Sequence, residues 1–228
     1  MKYKKIIAFG DSFTWGTDLK DCNNTYSKSV WPALLASHLG LVYDCRALGG
    51  ISNQSILRHV LINLDYGILT PDTFVVINWT WLNRWDLFDF TVSDVAKNQD
   101  WNHGWNTVLP SESLSKQHKF YLNHIQSALT EKFETLKNIF IVSELLTKHN
   151  IKFLMTCVDE TLVDQEHFFP EYVDILYKHT TDNFLWFDNY GFYSWAKNNG
   201  YAISKGWHPL EEAHQAAFEY IINNYEFT

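Results

Sequence analysis

Phe74-Val75-Val76-Ile77 is apolar at every position, so neither side of the strand it predicts is left to face water. A strand of that kind needs cover on both faces, as a parallel strand has in a layered α/β sheet. Three more stretches suit the same sheet: residues 3–9 around Ile6-Ile7-Ala8-Phe9, residues 41–45, and Ile151 to Val158. Helical spacing fills the intervals. Ser29 is placed to cap a helix carrying Trp31, Leu34, Leu35 and Leu39 on one face, and Ile56, Leu57, Val60, Leu61 and Leu64 mark a second. Tyr121, Ile125, Leu129, Phe133 and Leu136 give a third helix, read from Lys119 to His149. A last helix runs from about Pro209 to Asn223, and Phe184–Phe187 is either a short fifth strand or a buried loop. The pattern predicts one α/β domain over residues 1–228: three layers, with a mostly parallel, doubly wound sheet between helices.

In such a sheet, ligands bind outside the carboxyl ends of the strands. The first strand ends there in Gly10-Asp11-Ser12-Phe13, which presents a hydroxyl at a tight turn. A serine hydroxyl is a weak nucleophile until a base activates it. The candidate base is far along the chain, His208 in Trp207-His208-Pro209, just before the last helix. Gly-Asp-Ser-Phe near the start with His-Pro near the end resembles the SGNH/GDSL hydrolase family of esterases and acetylesterases. The resemblance implies a flavodoxin-like fold, an acyl-Ser12 intermediate, and His208 as general base and then acid. It also implies that a glycine after the second strand donates its backbone N–H to the oxyanion of ester cleavage. Gly50 is that residue here, since Gly-x-Ser-Asn opening a helix fits the pattern better than Gly49 does.

The sequence departs from the family twice. After the third strand the family has Gly-x-Asn-Asp, whose Asn is the other oxyanion donor, whereas this chain reads Asn78-Trp79-Thr80-Trp81-Leu82-Asn83-Arg84. By register Thr80 stands nearest the Asn position and Asn78 nearest the Gly. Either side chain is a candidate donor beside the N–H groups of Ser12 and Gly50, and one such donor is worth roughly 10²–10³ in rate. In place of the family's Asp-x-x-His stands Lys205-Gly206-Trp207-His208. The Lys205 carbonyl is the expected substitute for orienting His208, with Asp188 a distant alternative.

Ten tryptophans bring the aromatic fraction to 17%. Most are expected in the core. Trp15, Trp79, Trp81 and Trp207 fall in turns at strand ends and are the candidate substrate-facing rings, together with Asp11. Arg84 either binds an anionic part of the substrate or sits on the surface paired with Asp86 or Asp89. Residues 86–117 lack a clear period and are too long for an ordinary connection, which predicts an aromatic-rich insertion or lid at about 80–117. It contains His103 between Trp101 and Trp105. The aromatic turns favour an O-acetylated carbohydrate as substrate, with another short-chain acyl ester as the alternative. A different class of reading is a non-catalytic protein that keeps this fold and binds glycans or small molecules.

Charge and motif content exclude other chemistries. A net charge of −8 provides no basic stripe for nucleic acid and no polybasic contact for a membrane. Behind Lys4-Lys5 the apolar run is too short for a signal peptide, and no apolar stretch approaches a membrane span, so the expected location is cytoplasmic. Three unpatterned cysteines do not make a disulfide framework. Neither nucleotide-binding glycine motif occurs, and no His or Cys pairs stand at zinc spacing, so no cofactor and no metal are expected. The sequence leaves oligomeric state open.

Overall fold

A computed structural model describes residues 3–88, 105–109, 116–125, 127–162, 176 and 184–227. The chain forms β1 (Lys5–Gly10), α1 (Ser12–Trp15), α2 (Trp31–His38), β2 (Val42–Cys45), α3 (Asn53–Asp65) and β3 (Thr73–Trp79). Then come β4 (Trp85–Phe88), β5 (Trp105–Val108), α4 (Lys116–His124), α5 (Ala128–Lys148), β6 (Lys152–Cys157), a 3₁₀ turn (Glu160–Leu162), α6 (Phe192–Asn198) and α7 (Glu211–Asn224). The main sheet has the order β2-β1-β3-β6, every pair parallel. From β1 the chain crosses to β2 on one side and then to β3 on the other. The turn after Gly10 is therefore a topological switch point, where such sheets leave a crevice.

Alternation along the strands explains the unbroken apolar runs. Ile6, Ala8, Phe74, Val76 and Leu154 face one layer, where they pack with Trp31 and Leu35 of α2, Phe192 and Trp195 of α6, and Ala213, Ala217 and Ile221 of α7. Ile7, Phe9, Val75, Ile77, Phe153 and Met155 face the other, against Ile56 and Val60 of α3 and Leu136, Ile139, Val142 and Leu146 of α5. Trp79 continues the second set and is fully buried, so it does not stack on substrate as its position near a strand end implied. Phe184 adds a single parallel bridge to Met155, and the Leu185 N–H reaches the Met155 carbonyl at 2.7 Å: a rudimentary fifth strand.

Three local expectations change. The first turn of α2 is preceded by Val30 with no side-chain cap. Ser29 is not its cap; the Trp31 N–H instead donates to His214 Nδ1 of α7 at 3.2 Å. The long helix read from Lys119 to His149 is two helices, because they serve different surfaces. In α4, Tyr121 stacks on Trp85 of β4 with ring centroids 5.4 Å apart, whereas α5 covers the sheet. Ile125 and Leu129, where the two meet, are exposed rather than part of one buried stripe. Within the unpatterned stretch, β4 and β5 pair antiparallel, Trp85 opposite Val108 and Phe88 opposite Trp105. Trp101, His103 and Asp89 lie outside the described residues. Among the described residues, no helix is long and apolar enough to cross a membrane.

Candidate active site

β1 ends at Gly10, where any Cβ would lie 2.2 Å from Thr14 Oγ1 and 2.9 Å from the Asn78 carbonyl, so the turn closes only around a glycine. Asp11 follows as the N-cap of α1, its Oδ1 accepting the Phe13 N–H at 3.0 Å. This presents the Ser12 hydroxyl at the sheet's carboxyl edge. Gly16, in the left-handed region at φ 84°, ends α1 and sends the chain into the loop that carries Asp18.

That loop and the segment before α7 meet at Ser12. His208 Nε2 lies 2.9 Å from Ser12 Oγ, and His208 Nδ1 lies 2.8 Å from Asp18 Oδ2. A carboxylate only accepts hydrogen bonds, so Nδ1 carries the ring proton and Nε2 is free to accept from the serine hydroxyl. Asp18 also accepts from the Ser204 hydroxyl at 2.6 Å. That bond first, and the bond from His208 second, hold its carboxyl below the usual carboxylate range, so it is ionised at neutral pH. Ser204 Oγ in turn accepts the N–H groups of Gly206 (3.1 Å) and His208 (3.2 Å), which fixes the turn that aims the imidazole. Asp18 was not singled out in the sequence. The Lys205 carbonyl is not needed for the expected role, since a carboxylate stands at Nδ1. Asp188 is elsewhere, accepting from Trp195 Nε1 at 3.0 Å.

Known proteins share this fold without sharing its sequence. No family model and no curated protein sequence matches the chain. Among solved structures, a lipolytic protein of the G-D-S-L family from Desulfitobacterium hafniense superposes with a TM-score of 0.54 at 15% identity, over 96% of this chain and 98% of that one. A member of the same lipolytic family from Veillonella parvula gives 0.52 at 11%, over 99% and 100%. A psychrotrophic esterase from a Pseudoalteromonas species gives 0.52 at 12%, over 96% and 95%. The chain has the SGNH/GDSL hydrolase fold.

Against the pattern of SGNH hydrolases, the remaining residues sort as follows. Gly49 and Gly50 adjoin the turn: a Cβ on Gly49 would lie 3.9 Å from the Ser12 Cβ, and Gly50 takes φ 77° beside Leu109. Thr80 does not point a free hydroxyl at the cleft; its Oγ1 donates to Asp11 Oδ2 at 2.6 Å. Asn78 is fully buried on the face shared with Phe74 and Val76, its amide has no hydrogen-bond partner among the described residues, and it does not line the cleft. Among the described residues, Arg84 pairs with Asp11 and not with Asp86. Its Nη1 donates to Asp11 Oδ2 at 2.7 Å and to the Ile51 carbonyl at 3.2 Å, while Asp86 is held by Arg58, Ser55 and Thr107.

Beside His208 opens a cleft of about 320 Å³, lined by Phe13, Trp81, Asn83, Arg84, Leu109 and Trp207. Trp81 packs edge-on against Phe13 and Tyr193. Trp207 is 64% exposed and held in the left-handed region at φ 68°, a conformation a bulky residue rarely adopts. Trp15 is not in this cleft. It lines a separate cavity of about 130 Å³ with Arg46, Leu48, His59 and Asn63. Among the described residues, no group of three or more His, Cys, Asp or Glu side chains is placed to hold a metal ion.

Proposed function

We propose that this protein hydrolyses carboxylic esters through an acyl-Ser12 intermediate. The observation that carries the reading is the unbroken hydrogen-bond chain Ser12 Oγ–His208 Nε2, His208 Nδ1–Asp18 Oδ2, opening onto a cleft. His208 takes the Ser12 proton as Oγ attacks the acyl carbonyl carbon, then returns that proton to the departing alcohol oxygen. Water enters, loses a proton to His208 and attacks the acyl carbon; the proton goes back to Ser12 as the acid leaves. Asp18 holds the tautomer and stabilises the imidazolium, as the third member of such a triad does. The backbone N–H groups of Ser12 and Gly50 receive the oxyanion.

The substrate is an ester of a short acyl group, above all an O-acetyl group on a carbohydrate. A volume of about 320 Å³ lies at the small end of ligand sites and has room for one sugar ring with an acetyl group. Trp81, Trp207 and Phe13 offer apolar faces of the kind that cover a sugar's C–H surface, with Asn83 for its oxygens. The rival reading, a glycan binder without hydrolysis, drew on the missing Asp and the missing Asn; Asp18 stands at His208 Nδ1 in place of the first, while neither Thr80 nor Asn78 takes the place of the second.

The test is acetate release from p-nitrophenyl acetate and from an acetylated xyloside by wild type, Ser12→Ala and His208→Ala. Hydrolysis lost in both variants, with the sugar ester preferred by kcat/KM, is the expected result. Equal rates in all three proteins overturn the reading.

A further inference from the structure

We infer that Arg84 is a positioning residue for the oxyanion site, reaching it from the loop after β3, where the family's Asn donor is absent. The inference rests on the reading of Ser12 as nucleophile and of Ser12 and Gly50 as backbone donors.

Three separate loops meet at this guanidinium. Asp11, immediately before Ser12, receives it on Oδ2, and Ile51, immediately after Gly50, receives it on its carbonyl. One nitrogen, Nη1, thus ties together the two backbone segments whose N–H groups must converge on a single oxygen. The Asp11 carboxylate is itself fully buried and collects two further donors, the Phe13 N–H and the Thr80 hydroxyl. The third loop is bound in as well. Asn53, in the first turn of α3, donates Nδ2 to the Thr80 carbonyl at 3.0 Å and accepts the Thr80 N–H on Oδ1 at 2.8 Å. Arg84, Asp11, Thr80 and Asn53 therefore form one connected chain of hydrogen bonds beside the turn that carries Ser12.

The charge matters as well as the reach. The Arg84–Asp11 pair is buried, with side chains 13% and 0% exposed, in a site where negative charge must develop on the attacked carbonyl. The Asp11 carboxylate stands directly before Ser12, and pairing it with Arg84, which also lines the cleft, keeps an uncompensated negative charge away from the developing oxyanion. A side chain acting in this way lowers kcat and leaves ground-state binding nearly untouched.

The experiment compares wild type, Arg84→Gln and Arg84→Lys by steady-state hydrolysis of p-nitrophenyl acetate, inhibition by a trifluoromethyl ketone that forms a tetrahedral serine adduct, and fluorophosphonate labelling with peptide mapping. For Arg84→Gln the expected result is a fall of about 10² in kcat, a KM within about threefold, and a trifluoromethyl ketone Ki that rises by the same factor as kcat falls. Arg84→Lys keeps the cation and can donate to more than one acceptor, but its shorter side chain reaches the position of Nη1 less well, and it recovers only part of the loss. It is the variant to read if Arg84→Gln does not fold. Unchanged kcat in the folded variants, or a loss confined to KM, overturns the inference while leaving Ser12 as nucleophile. Failure of wild type itself to label at Ser12 overturns the reading beneath it, whatever Arg84 does.

Discussion

Replacing His214 with Gln is expected to reduce the protein's loss of stability between pH 7.5 and pH 5 by about 2 kcal/mol. His214 is fully buried between α2 and α7, its ring 4.8 Å from that of Phe192, and its Nδ1 accepts the Trp31 N–H. Burial first, and the neighbouring His208 second, lower its pKa from 6.5 to about 3. Protonating Nδ1 would both place a charge in the core and lose the acceptor that caps α2. A group whose folded pKa lies below its unfolded value gives stability that is complete above the unfolded pKa and is lost as pH falls. For His214 the loss therefore begins near pH 6.5 and continues to about pH 3. One proton at 1.36 kcal/mol per pH unit gives a loss of about 2 kcal/mol between pH 7.5 and pH 5, and about 5 kcal/mol over the whole window. Glutamine carries an oxygen that can accept from Trp31 and has no charge to gain. Urea unfolding followed by tryptophan fluorescence at both pH values measures the difference. The variant is expected to be less stable at pH 7.5 but to show a pH dependence smaller by about 2 kcal/mol. An identical pH dependence in the two proteins refutes the argument.

Other expectations follow from the same geometry. A Cβ on Gly206 would lie 2.6 Å from Asp18 Oδ2 and 3.1 Å from His208 Nδ1, so Gly206→Ala is expected to push that pair apart. Its kcat on p-nitrophenyl acetate should fall by roughly tenfold or more while the melting temperature stays within a few degrees, since the turn is at the surface. Trp207→Gly retains the left-handed backbone without its steric cost and is expected to be as stable as wild type or more so by about 0.5–1 kcal/mol. The same variant should raise KM for an acetylated sugar more than for p-nitrophenyl acetate, and equal effects on both would count against a stacking role.

The fold was legible because its evidence is local. Ile6 to Phe9 and Phe74 to Ile77 read as two-sided strands, and both do alternate between two buried layers. The same alternation hid the fate of Trp79, which continues β3 by one residue and so points into the core rather than the cleft. The Ser12–His208 pairing was legible as spacing at the two ends of the chain. Asp18 was not, because it stands 190 residues from His208, in a polar loop where acids are ordinary, and nothing local marks it. The nearest available signal was negative: Lys205 three residues before His208 meant that a carboxylate, if present, had to come from elsewhere. Arg84 misled in the same way. Asp86 is close in sequence, yet the strand direction turns Asp86 towards Arg58 and leaves Arg84 facing Asp11. Polar side chains in this site find partners through topology, and topology is what a linear pattern carries least of.

The most direct test of the central claim is the rate at which a fluorophosphonate modifies Ser12, mapped by mass spectrometry in wild type, Asp18→Asn and Lys205→Ala. Wild type and Lys205→Ala are expected to label at Ser12 alone and at the same rate. In Asp18→Asn labelling should slow by at least about 10²-fold, since the amide can no longer hold the tautomer that leaves Nε2 free. Labelling at another residue, or an Asp18→Asn rate equal to wild type, would contradict the account.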